Sequence, residues 1–555
     1  MELLRSVLKN LPEFQELTAA LEGGKSPAAV SGLAAVHRAH FATALGQETG
    51  RPVVVVCADE GEAGRMARDL SYLTGGEVPV LASRSFVFHS IATVSHQWEH
   101  KRLDLLWRLR RGELPCLVAT VEALQQRTLP PQVLDSACTV LEPGQQADLN
   151  RLTEALAAAG YVRCDQVEGA GQFALRGGIL DVYSPGMAAP VRAEFWGDEL
   201  DTMGTFDPST QRRTENVDRA VLLPAAETLP QLSQGGLSGL LERLDQLSAK
   251  ARRDGNEDLA VTLQQDRDAL GEGRSFPAAD RYLPLIYPEL ATAADFLPLD
   301  ACVLFSESSR VGERAKTYQW QLEEDVKTLL ERGELDGSCG ELCLPFDRLC
   351  RRLEDFPFAY LDSFSLSSYP VYPKCLLSVM AKQLPSFGAS LETAVQDLSH
   401  YQSAGFAVLV LVSSEQRALN LQTLLREQKV KSGVDFALKA LPKPGQIILT
   451  VGGLSGGLEY PDLKLAVITE GQEGGARKPS RSRTAAKKGP TNRQKLKSYA
   501  DLSPGDLVVH EHHGVGRYVG MVKMPADGIE KDYVKIAYAG SDVLYVPATQ
   551  LDLIS

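Results

Sequence analysis

The sequence has no long hydrophobic run. Its apolar stretches, such as Val53-Val54-Val55-Val56-Cys57, have the length of a strand and fall far short of the ~20 residues that cross a bilayer. The first residues, MELLRSVLKNLPEF, lack the continuous apolar core of a signal peptide. These absences lead us to expect a soluble, cytoplasmic protein with no membrane partner.

Paired cysteine motifs are also missing. The nine cysteines are scattered, and only Cys339, Cys343 and Cys350 cluster, without CxxC spacing and without a neighbouring histidine. This distribution favours reduced thiols over a disulfide framework and does not match a zinc-ligand pattern. His510, His512 and His513 form the densest histidine group, which we interpret as turn residues between strands. We therefore expect no metal site.

A complete phosphate-binding loop is absent. Gly24-Lys25-Ser26 resembles the end of such a loop, but Ala19 stands where the first glycine is needed, no predicted strand precedes it and Pro27 follows. The stretch Cys57–Glu60 resembles a metal-holding acidic motif, but Asp59 as the N-cap of a helix explains it equally well. The sequence therefore predicts no ATP site, no other cofactor site and no catalytic residues in this chain.

Positive charge is scarce except in one segment. The chain has 58 Lys/Arg against 71 Asp/Glu, for a net charge of −13. Residues 471–500 nevertheless hold nine Lys/Arg and one acid, for +8, which leaves 49 Lys/Arg against 70 Asp/Glu elsewhere, for −21. This basic segment is either a solvated flexible linker or a strap that contacts nucleic-acid phosphate weakly.

The length and the periodicity predict several domains. A chain of 555 residues corresponds to about three to five compact units. Helix and strand patterns alternate at first (helix Ser31–Leu45, strand Val53–Cys57), followed by strand-and-turn patterns, a helical stretch Leu237–Leu270 and an irregular stretch over 333–375. A second α/β pattern then includes helix Leu391–Ser403 and strand Leu465–Thr469. Short apolar strands between helices indicate a parallel sheet covered on both faces.

Two neighbouring strand patterns offer one polar face. In Val191–Trp196 (VRAEFW), Arg192, Glu194 and Trp196 lie opposite the apolar positions, because strand side chains alternate. In the preceding strand, Arg176 lies opposite Phe173 and Leu175. From the pattern alone, this face is either a solvated surface with a cross-strand ion pair or a protein interface with Arg and Trp anchors.

The last segment has a different charge from the linker before it. Residues 501–555 carry four Lys/Arg and eight Asp/Glu, a net charge of −4, which makes nucleic-acid binding a poor interpretation. Both faces of the strand pattern Tyr518–Met524 are half apolar. That strand is either central in its sheet or an edge strand that pairs with a partner protein.

Long motifs carry a family resemblance over essentially the whole chain. They are GQFALRGGILDVYS (171–184), VRAEFWGDELDTMGTFDPSTQR (191–212), YLPLIYPE (282–289), GLEYPDLKLAVITE (457–470), GDLVVHEHHGVGRYVGM (505–521), DYVKIAY (532–538) and LYVPATQLDLIS (544–555). In this order they resemble the UvrB-like module, the third α/β domain and the CarD-like RNA-polymerase-interacting domain of bacterial transcription-repair coupling factors.

The resemblance implies a multidomain α/β protein. We expect a UvrB-like α/β domain with a vestigial P-loop-type site, an inserted antiparallel β domain, a second small α/β domain and a C-terminal Tudor-like barrel. The expected limits are 1–134 and 216–332 for the UvrB-like domain, 135–215 for the insertion, 333–374 for a connector, 375–470 for the small α/β domain, 471–500 for the linker and 501–555 for the barrel.

The resemblance also implies partners. The inserted domain would bind the repair protein UvrA through Arg163, Arg176, Arg192 and Glu194. The barrel would extend a sheet of the RNA polymerase β subunit through Tyr518, Val522, Lys523 and Met524.

The expected function is that of an adaptor in transcription-coupled nucleotide excision repair. In the family, ATP, magnesium and most DNA contact belong to a translocase that follows the barrel, so we expect this N-terminal half to have no ATPase activity. The alternatives are a UvrB-like nucleotide-dependent subunit, which the missing loop disfavours, and a CarD-like transcription regulator fused to a UvrB-like scaffold.

Overall fold

The computed structural model describes residues 1–89, 96–274, 276–387 and 391–471, together with strands between 507 and 547. The chain forms two compact units, Met1–Glu473 and Gly474–Ser555, which we describe separately. Residues 472–500 of the predicted basic linker, and His512 and His513, lie outside the described residues. None of the described helices has the length and hydropathy that a membrane span requires.

The first unit begins with alternating helices and short strands, and the predicted alternation from Val53 to Thr120 is present. These elements are α1 Glu2–Ser6, α2 Pro12–Glu22, β1 Ala28–Ser31, α3 Ala35–Thr49, β2 Val53–Cys57, α4 Glu60–Thr74, β3 Val80–Leu81, α5 Gln97–Arg110, β4 Cys116–Thr120, α6 Val121–Gln125, β5 Arg127–Thr128, α7 Pro131–Ala137 and β6 Thr139–Leu141.

Strands then dominate, and this part of the chain forms the inserted domain. Its elements are α8 Leu149–Ala158, β7 Val162–Arg163, β8 Gln172–Arg176, β9 Ile179–Tyr183, β10 Val191–Trp196, β11 Glu199–Phe206, β12 Arg213–Asn216 and β13 Ala220–Leu222. The predicted hairpin turn at Gly197-Asp198 is present, and Gly197 adopts a φ of 64° that favours glycine.

The chain next returns to the first α/β layer and then builds a second one. The returning elements are α9 Gly236–Arg253, α10 Glu257–Gly271, α11 Leu283–Ile286, β14 Ala291–Thr292, β15 Cys302–Ser306, α12 Ser308–Glu331, α13 Phe346–Leu353, β16 Phe358–Leu361 and β17 Cys375–Ser378. The second layer comprises β18 Lys382–Leu384, α14 Leu391–Ser403, β19 Ala407–Val412, α15 Glu415–Glu427, β20 Ser432–Val434, β21 Ile447–Val451, β22 Gly457–Tyr460 and β23 Leu465–Thr469.

The largest sheet of the first unit is parallel throughout. Its order is β17-β1-β16-β15-β2-β4-β3, and each neighbouring pair is parallel. Every residue of β2 is buried, since helices cover both faces of the sheet. This confirms the predicted covered parallel sheet.

The helix α3 lies between two sheets. All residues from Val36 to Leu45 are buried, and the helix shares a hydrophobic core with Leu409 and Leu458 of the second, mixed sheet, which has the order β18-β22-β23-β19-β21-β20. A helix that is covered on all sides needs apolar or hydrogen-bonded side chains around its whole circumference. Of its two histidines, His40 meets this requirement, since its Nδ1 lies 3.1 Å from the Tyr460 hydroxyl. The His37 ring packs edge-on against Tyr460 with centroids 5.2 Å apart.

Two predicted features are wrong. The helix predicted from Ser31 begins at Ala35, because Ala28–Ser31 forms a strand of the parallel sheet. The stretch 333–375, predicted irregular, contains α13 and the buried central strand Phe358–Leu361. The predicted helical stretch Leu237–Leu270 is confirmed, and it is divided into two helices, since Gly255 adopts a φ of 77° and Asn256 caps the second one.

The second unit contains an antiparallel sheet. Its strands are β24 Leu507–His510, β25 Gly514–Ala526, β26 Ile529–Ala537 and β27 Val543–Pro547, and they pair in chain order. Tyr518 is 5% exposed and Val508 is 1% exposed, so both side chains are buried in this unit.

Candidate protein-interaction surfaces

The inserted domain has a six-stranded sheet in the order β12-β11-β10-β9-β8-β7. Only the edge pair β7–β8 is parallel; the other pairs are antiparallel. Val191 and Ala193 are buried in the core of this domain, as are Phe173, Leu180 and Val182. The alternation predicted for VRAEFW is therefore confirmed, and Arg192 and Glu194 lie on the opposite face, which we call the polar face.

A buried carboxylate organises the polar face. Asp181 on β9 pairs directly with Arg192 on β10, and its side chain is 1% exposed. Its Oδ1 accepts a hydrogen bond from Arg192 Nε at 2.7 Å and its Oδ2 one from Arg192 Nη2 at 2.9 Å. The same Oδ2 accepts from Arg176 Nη2 at 2.5 Å. One carboxylate thus holds two of the predicted site arginines.

Sequence reasoning missed Asp181, although a signal was present. The stretch Ile179–Tyr183 alternates, and the acid stands between the core residues Leu180 and Val182. Its side chain therefore lies on the face opposite the core. An acidic side chain there, opposite an arginine of the next strand, predicts a cross-strand ion pair.

Arg192 is held rigidly. Its guanidinium lies over the Phe206 ring at 4.8 Å from the centroid, and its Nη1 donates to the Gln211 carbonyl at 3.3 Å. The hydrogen bonds to Asp181 raise the pKa of Arg192 above its ordinary value, against the opposing effect of burial. The side chain is 19% exposed. A partner would therefore meet a guanidinium group that is fixed in position.

Glu194 lies beside Arg192 on the polar face. Arg213 on the edge strand β12 donates from Nη1 to Glu194 Oε1 at 3.0 Å, and the glutamate side chain is 42% exposed. This pair is accessible to solvent, so its contribution to stability is small. Glu194 is therefore free to exchange Arg213 for a cation of a partner at little cost.

Arg163 does not share the polar face. In the β7–β8 register it stands opposite Phe173, a core residue, and it forms no ion pair within the described part of the chain. It meets Arg176 in a depression of about 470 Å³ at the sheet edge, which Cys164, Asp165 and Leu175 also line. The structure thus joins Arg176, Arg192 and Glu194 on one face and places Arg163 around its edge.

An exposed indole extends this region. Trp196 ends β10 after a register shift between Glu194 and Phe195, and it is 86% exposed. Ile179, opposite Glu194 on β9, is 38% exposed. Large apolar side chains next to fixed arginines are typical of the anchor residues of protein interfaces.

The carboxyl edge of the parallel sheet is where a nucleotide binds in α/β domains. Here the loop after β1 is Gly32-Leu33-Ala34, and its N–H groups are engaged internally: Gly32 donates to the Ser363 carbonyl at 3.3 Å and Leu33 to the Asp362 carbonyl at 3.0 Å. A Cβ atom on Gly32 would lie 2.0 Å from the Val379 carbonyl oxygen, so the loop closes tightly. Gly24-Lys25-Ser26 lies between α2 and β1, before the strand and not after it.

An arginine fills the same edge. The buried Arg38 side chain of α3 donates to the Glu307 carboxylate, and its Nη1 also donates to the Leu33 carbonyl at 2.9 Å. Glu62 of α4 lies 3.8 Å from Arg38 Nη2 and accepts from the Ser306 hydroxyl at 2.8 Å. The charged side chains at this edge are therefore paired with one another and not with a ligand phosphate.

Of the clustered cysteines, Cys339 and Cys350 are buried and Cys343 is half-buried. Burial raises the pKa of Cys339, Cys343 and Cys350 to about 12 each, so they stay protonated at neutral pH. All nine cysteines are unpaired. Among the described residues, no group of three or more His, Cys, Asp and Glu side chains is arranged to hold a metal ion.

In the second unit, β25 is long and only partly paired. β24 pairs with its first residues, Gly514 to Arg517, whereas β26 pairs from Arg517 to Ala526. Within the strands that the structure describes, the stretch from Tyr518 to Ala526 thus has a hydrogen-bonded neighbour on one side only. Val522 is half-buried in this stretch. Lys523 and Met524 follow it in β25, where the structure describes their backbone alone.

Comparisons with known proteins find two family matches, one in each of the segments that contain these surfaces. The family described as "UvrB interaction domain" matches residues 140–227, and the family "CarD-like/TRCF RID domain" matches residues 502–555. The chain is similar over 100% of its length to the transcription-repair-coupling factor of Bacillus subtilis, at 29% identity, and covers 47% of that protein. It is 27% identical to the corresponding factor of Staphylococcus haemolyticus, of which it covers 46%. The chain thus spans about half the length of these relatives.

Proposed function

We propose that this chain, similar along its full length to transcription-repair-coupling factors, is an adaptor of transcription-coupled DNA repair. It would bind stalled RNA polymerase through residues 501–555 and recruit UvrA through residues 135–215. The observation that carries the proposal is the presence in one chain of both family matches, one to a UvrB interaction domain and one to a CarD-like/TRCF RID domain.

The UvrA-binding surface would be the polar face with the adjoining sheet edge. Arg176 and Arg192 are preorganised by Asp181, and Glu194 stands beside them with an exchangeable partner. A rigid charged face loses little side-chain entropy when a partner of complementary charge binds. Arg163, which forms no ion pair within the described residues, would add an unneutralised cation at the edge.

The polymerase contact would be made by strand addition. From Tyr518 to Ala526, the side of β25 that no described strand pairs with would offer backbone N–H and C=O groups to a strand of the polymerase β subunit. Tyr518, which is buried, would support the strand from inside, and Val522, Lys523 and Met524 would provide the contact. We infer that residues 501–555 close into a small Tudor-like barrel around this strand.

The other parts of the chain would support the two binding regions. The UvrB-like scaffold, over 1–134 and 216–332, and the small α/β domain, over 375–470, would position the two binding regions, with 333–374 as connector and 471–500 as a basic tether that contacts DNA weakly. ATP and magnesium would be bound by the part of the relatives that this chain does not cover. The unpaired thiols support a cytoplasmic location.

Affinity capture of UvrA tests the central claim. Arg192→Ala and Glu194→Ala should each reduce capture of UvrA by the 555-residue chain, whereas Arg219→Ala should not. Arg219 is a suitable control because it is also an arginine of the segment 140–227 that matches the UvrB interaction domain, and it is also in an ion pair, with Glu142 at 2.9 Å, but it lies outside the polar face. Unchanged capture by both site variants would show that UvrA binds elsewhere. A chain that binds polymerase but not UvrA would favour the CarD-like regulator.

A further inference from the structure

The first unit has a cavity of about 480 Å³ at the amino ends of β2 and β4. It lies at the edge of the parallel sheet opposite to that where Arg38 and Glu307 form their ion pair, so it is not the vestigial nucleotide site. Its floor includes Val53 and Cys116, the first residues of the two strands, and the end of α3 forms one wall. The volume falls within the range of small-molecule sites, roughly 300–1,000 Å³.

Three arginines line this cavity against a single acid. Arg5 comes from α1, Arg51 precedes β2 and Arg108 lies in α5, whereas Glu77 is the acidic residue of the lining. All three arginines are half-buried and Glu77 is exposed. The cavity therefore carries an excess of positive charge, although the chain as a whole is acidic.

Two of these arginines are not neutralised by the protein. Neither the Arg5 nor the Arg51 guanidinium takes part in a hydrogen bond or ion pair within the described residues, and Arg5 Nε is buried without a partner. Arg108 reaches Asp104 only at 3.7 Å. Guanidinium groups have a planar set of donors that matches a phosphate or carboxylate. Two half-buried guanidinium groups that line one cavity without a counter-ion make it a candidate site for an external anion.

The rest of the lining constrains the remainder of the ligand. Gln47 Oε1 is buried without a hydrogen-bond partner and lines the same cavity, so it would accept from a hydroxyl or amine. Pro52, Pro79 and Pro115 give the cavity apolar walls without further donors. The volume and the lining groups fit an anion attached to a small hydroxylated carbon skeleton.

We propose that this cavity binds a small phosphomonoester, with the phosphate held by Arg5 and Arg51 and a hydroxyl of its carbon skeleton bound by Gln47. The ligand is bound as a whole and no bond is made or broken. The cavity shares no lining residue with either protein-interaction surface, and the proposal does not depend on the proposed adaptor function.

Calorimetric titration of the 555-residue chain tests the proposal, with glucose 6-phosphate, glucose and inorganic phosphate as probes. Glucose 6-phosphate should bind saturably, more tightly than either glucose or phosphate alone. Arg5→Gln and Arg51→Gln should each weaken that binding tenfold or more. Arg111→Gln, an exposed arginine paired with Glu113 outside the cavity, should leave it unchanged.

A second variant keeps the test valid if the loss of Arg5 disturbs folding. Gly76 lines the cavity, and a Cβ atom there would meet nothing within 4 Å, so Gly76→Trp should fold and fill the space. Abolished binding in this variant supports the site. Absence of saturable binding of glucose 6-phosphate to the unmodified chain, equal affinity for inorganic phosphate, or undiminished binding to the arginine variants would overturn the proposal.

Discussion

Asp181 and Arg192 face each other across the β9–β10 pair and share two hydrogen bonds, at 2.7 and 2.9 Å. The carboxylate is almost completely buried, whereas the guanidinium retains one solvent-accessible edge. The pair therefore fixes the position of a surface cation from inside the sheet. The same carboxylate also binds Arg176, so one buried acid determines the geometry of two surface arginines.

The hydrogen bonds of Asp181 to Arg176 and Arg192 predict that Asp181→Asn destabilises the inserted domain. The amide keeps the shape but loses the charge that both arginines require, and removing one partner of a buried pair costs about 3 kcal/mol. Hydrogen–deuterium exchange should accelerate on the order of 100-fold in peptides covering 172–206, since 1.4 kcal/mol corresponds to a factor of ten. The control is Asp201→Asn, an exposed acid of β11, which should exchange as the unmodified chain does. Unaltered exchange in the Asp181 variant would show that its carboxylate does not stabilise these strands through the two arginines.

Trp196→Ala should separate binding from stability. The indole is 86% exposed, so its loss should change the free energy of unfolding by less than about 0.5 kcal/mol. If it anchors UvrA, affinity should fall by about 30-fold, corresponding to a hot-spot residue of about 2 kcal/mol. Trp320→Ala on α12, 59% exposed and outside the inserted domain, is the matched control. Equal UvrA affinities of the two variants would exclude Trp196 as an anchor.

Arg38→Met should destabilise the parallel sheet. The substitution leaves the Glu62 and Glu307 carboxylates without their shared cation, and breaking such a buried network costs about 3–5 kcal/mol. Arg310 lies at the same sheet edge, within 3.6 Å of Glu62, but is 54% exposed. Arg310→Met should therefore cost less than about 1 kcal/mol. Denaturant unfolding of both variants measures the difference, and equal losses would contradict the argument.

The histidines of α3 predict a loss of stability in acid. Burial lowers the pKa of His37 to about 3 and that of His40 to about 4. In the unfolded chain both titrate near 6.5, so below that pH the unfolded state takes up protons that the folded state does not bind. The stabilisation is complete above pH 6.5 and declines as the pH falls towards 4. Each histidine should cost about 2 kcal/mol between pH 7.5 and pH 5.0.

Denaturant unfolding at the two pH values measures this effect. In His37→Phe, which keeps a ring against Tyr460, the difference between the two pH values should shrink by about 2 kcal/mol. A pH dependence in His37→Phe that equals that of the unmodified chain would show that the buried His37 is not its source.

Met524→Arg tests the open side of β25. A charged, bulky side chain in the unpaired stretch should hinder the approach of a polymerase strand, while the ladder to β26 is retained. Capture of the polymerase β subunit should weaken, and the circular dichroism of the chain should stay the same. Normal polymerase capture would place the contact elsewhere on residues 501–555.

The success of sequence reasoning depended on whether the signal was local. Val53–Cys57 and Val191–Trp196 have the predicted bounds, because a continuous apolar run and a strict alternation are readable within one strand. Ala28–Ser31 and Phe358–Leu361 were not recognised, since four residues carry little pattern. They become strands by hydrogen bonding to each other, Ala28 opposite Ala359, across a long separation in sequence.

In the candidate surfaces, too, features with a local sequence signal were predicted and features that depend on distant residues were not. Alternation in the sequence determined that Arg192 and Glu194 lie opposite the core, and the family motifs selected Arg163 and Arg176 with them. Only the tertiary structure decided that Asp181 joins two of the arginines and that Arg163 lies around the sheet edge. It also decided that β25, among the described strands, has a neighbour on one side only from Tyr518 onwards. The side to which a strand residue points is set by the local backbone, whereas its partners are set by strands and loops that only folding brings together.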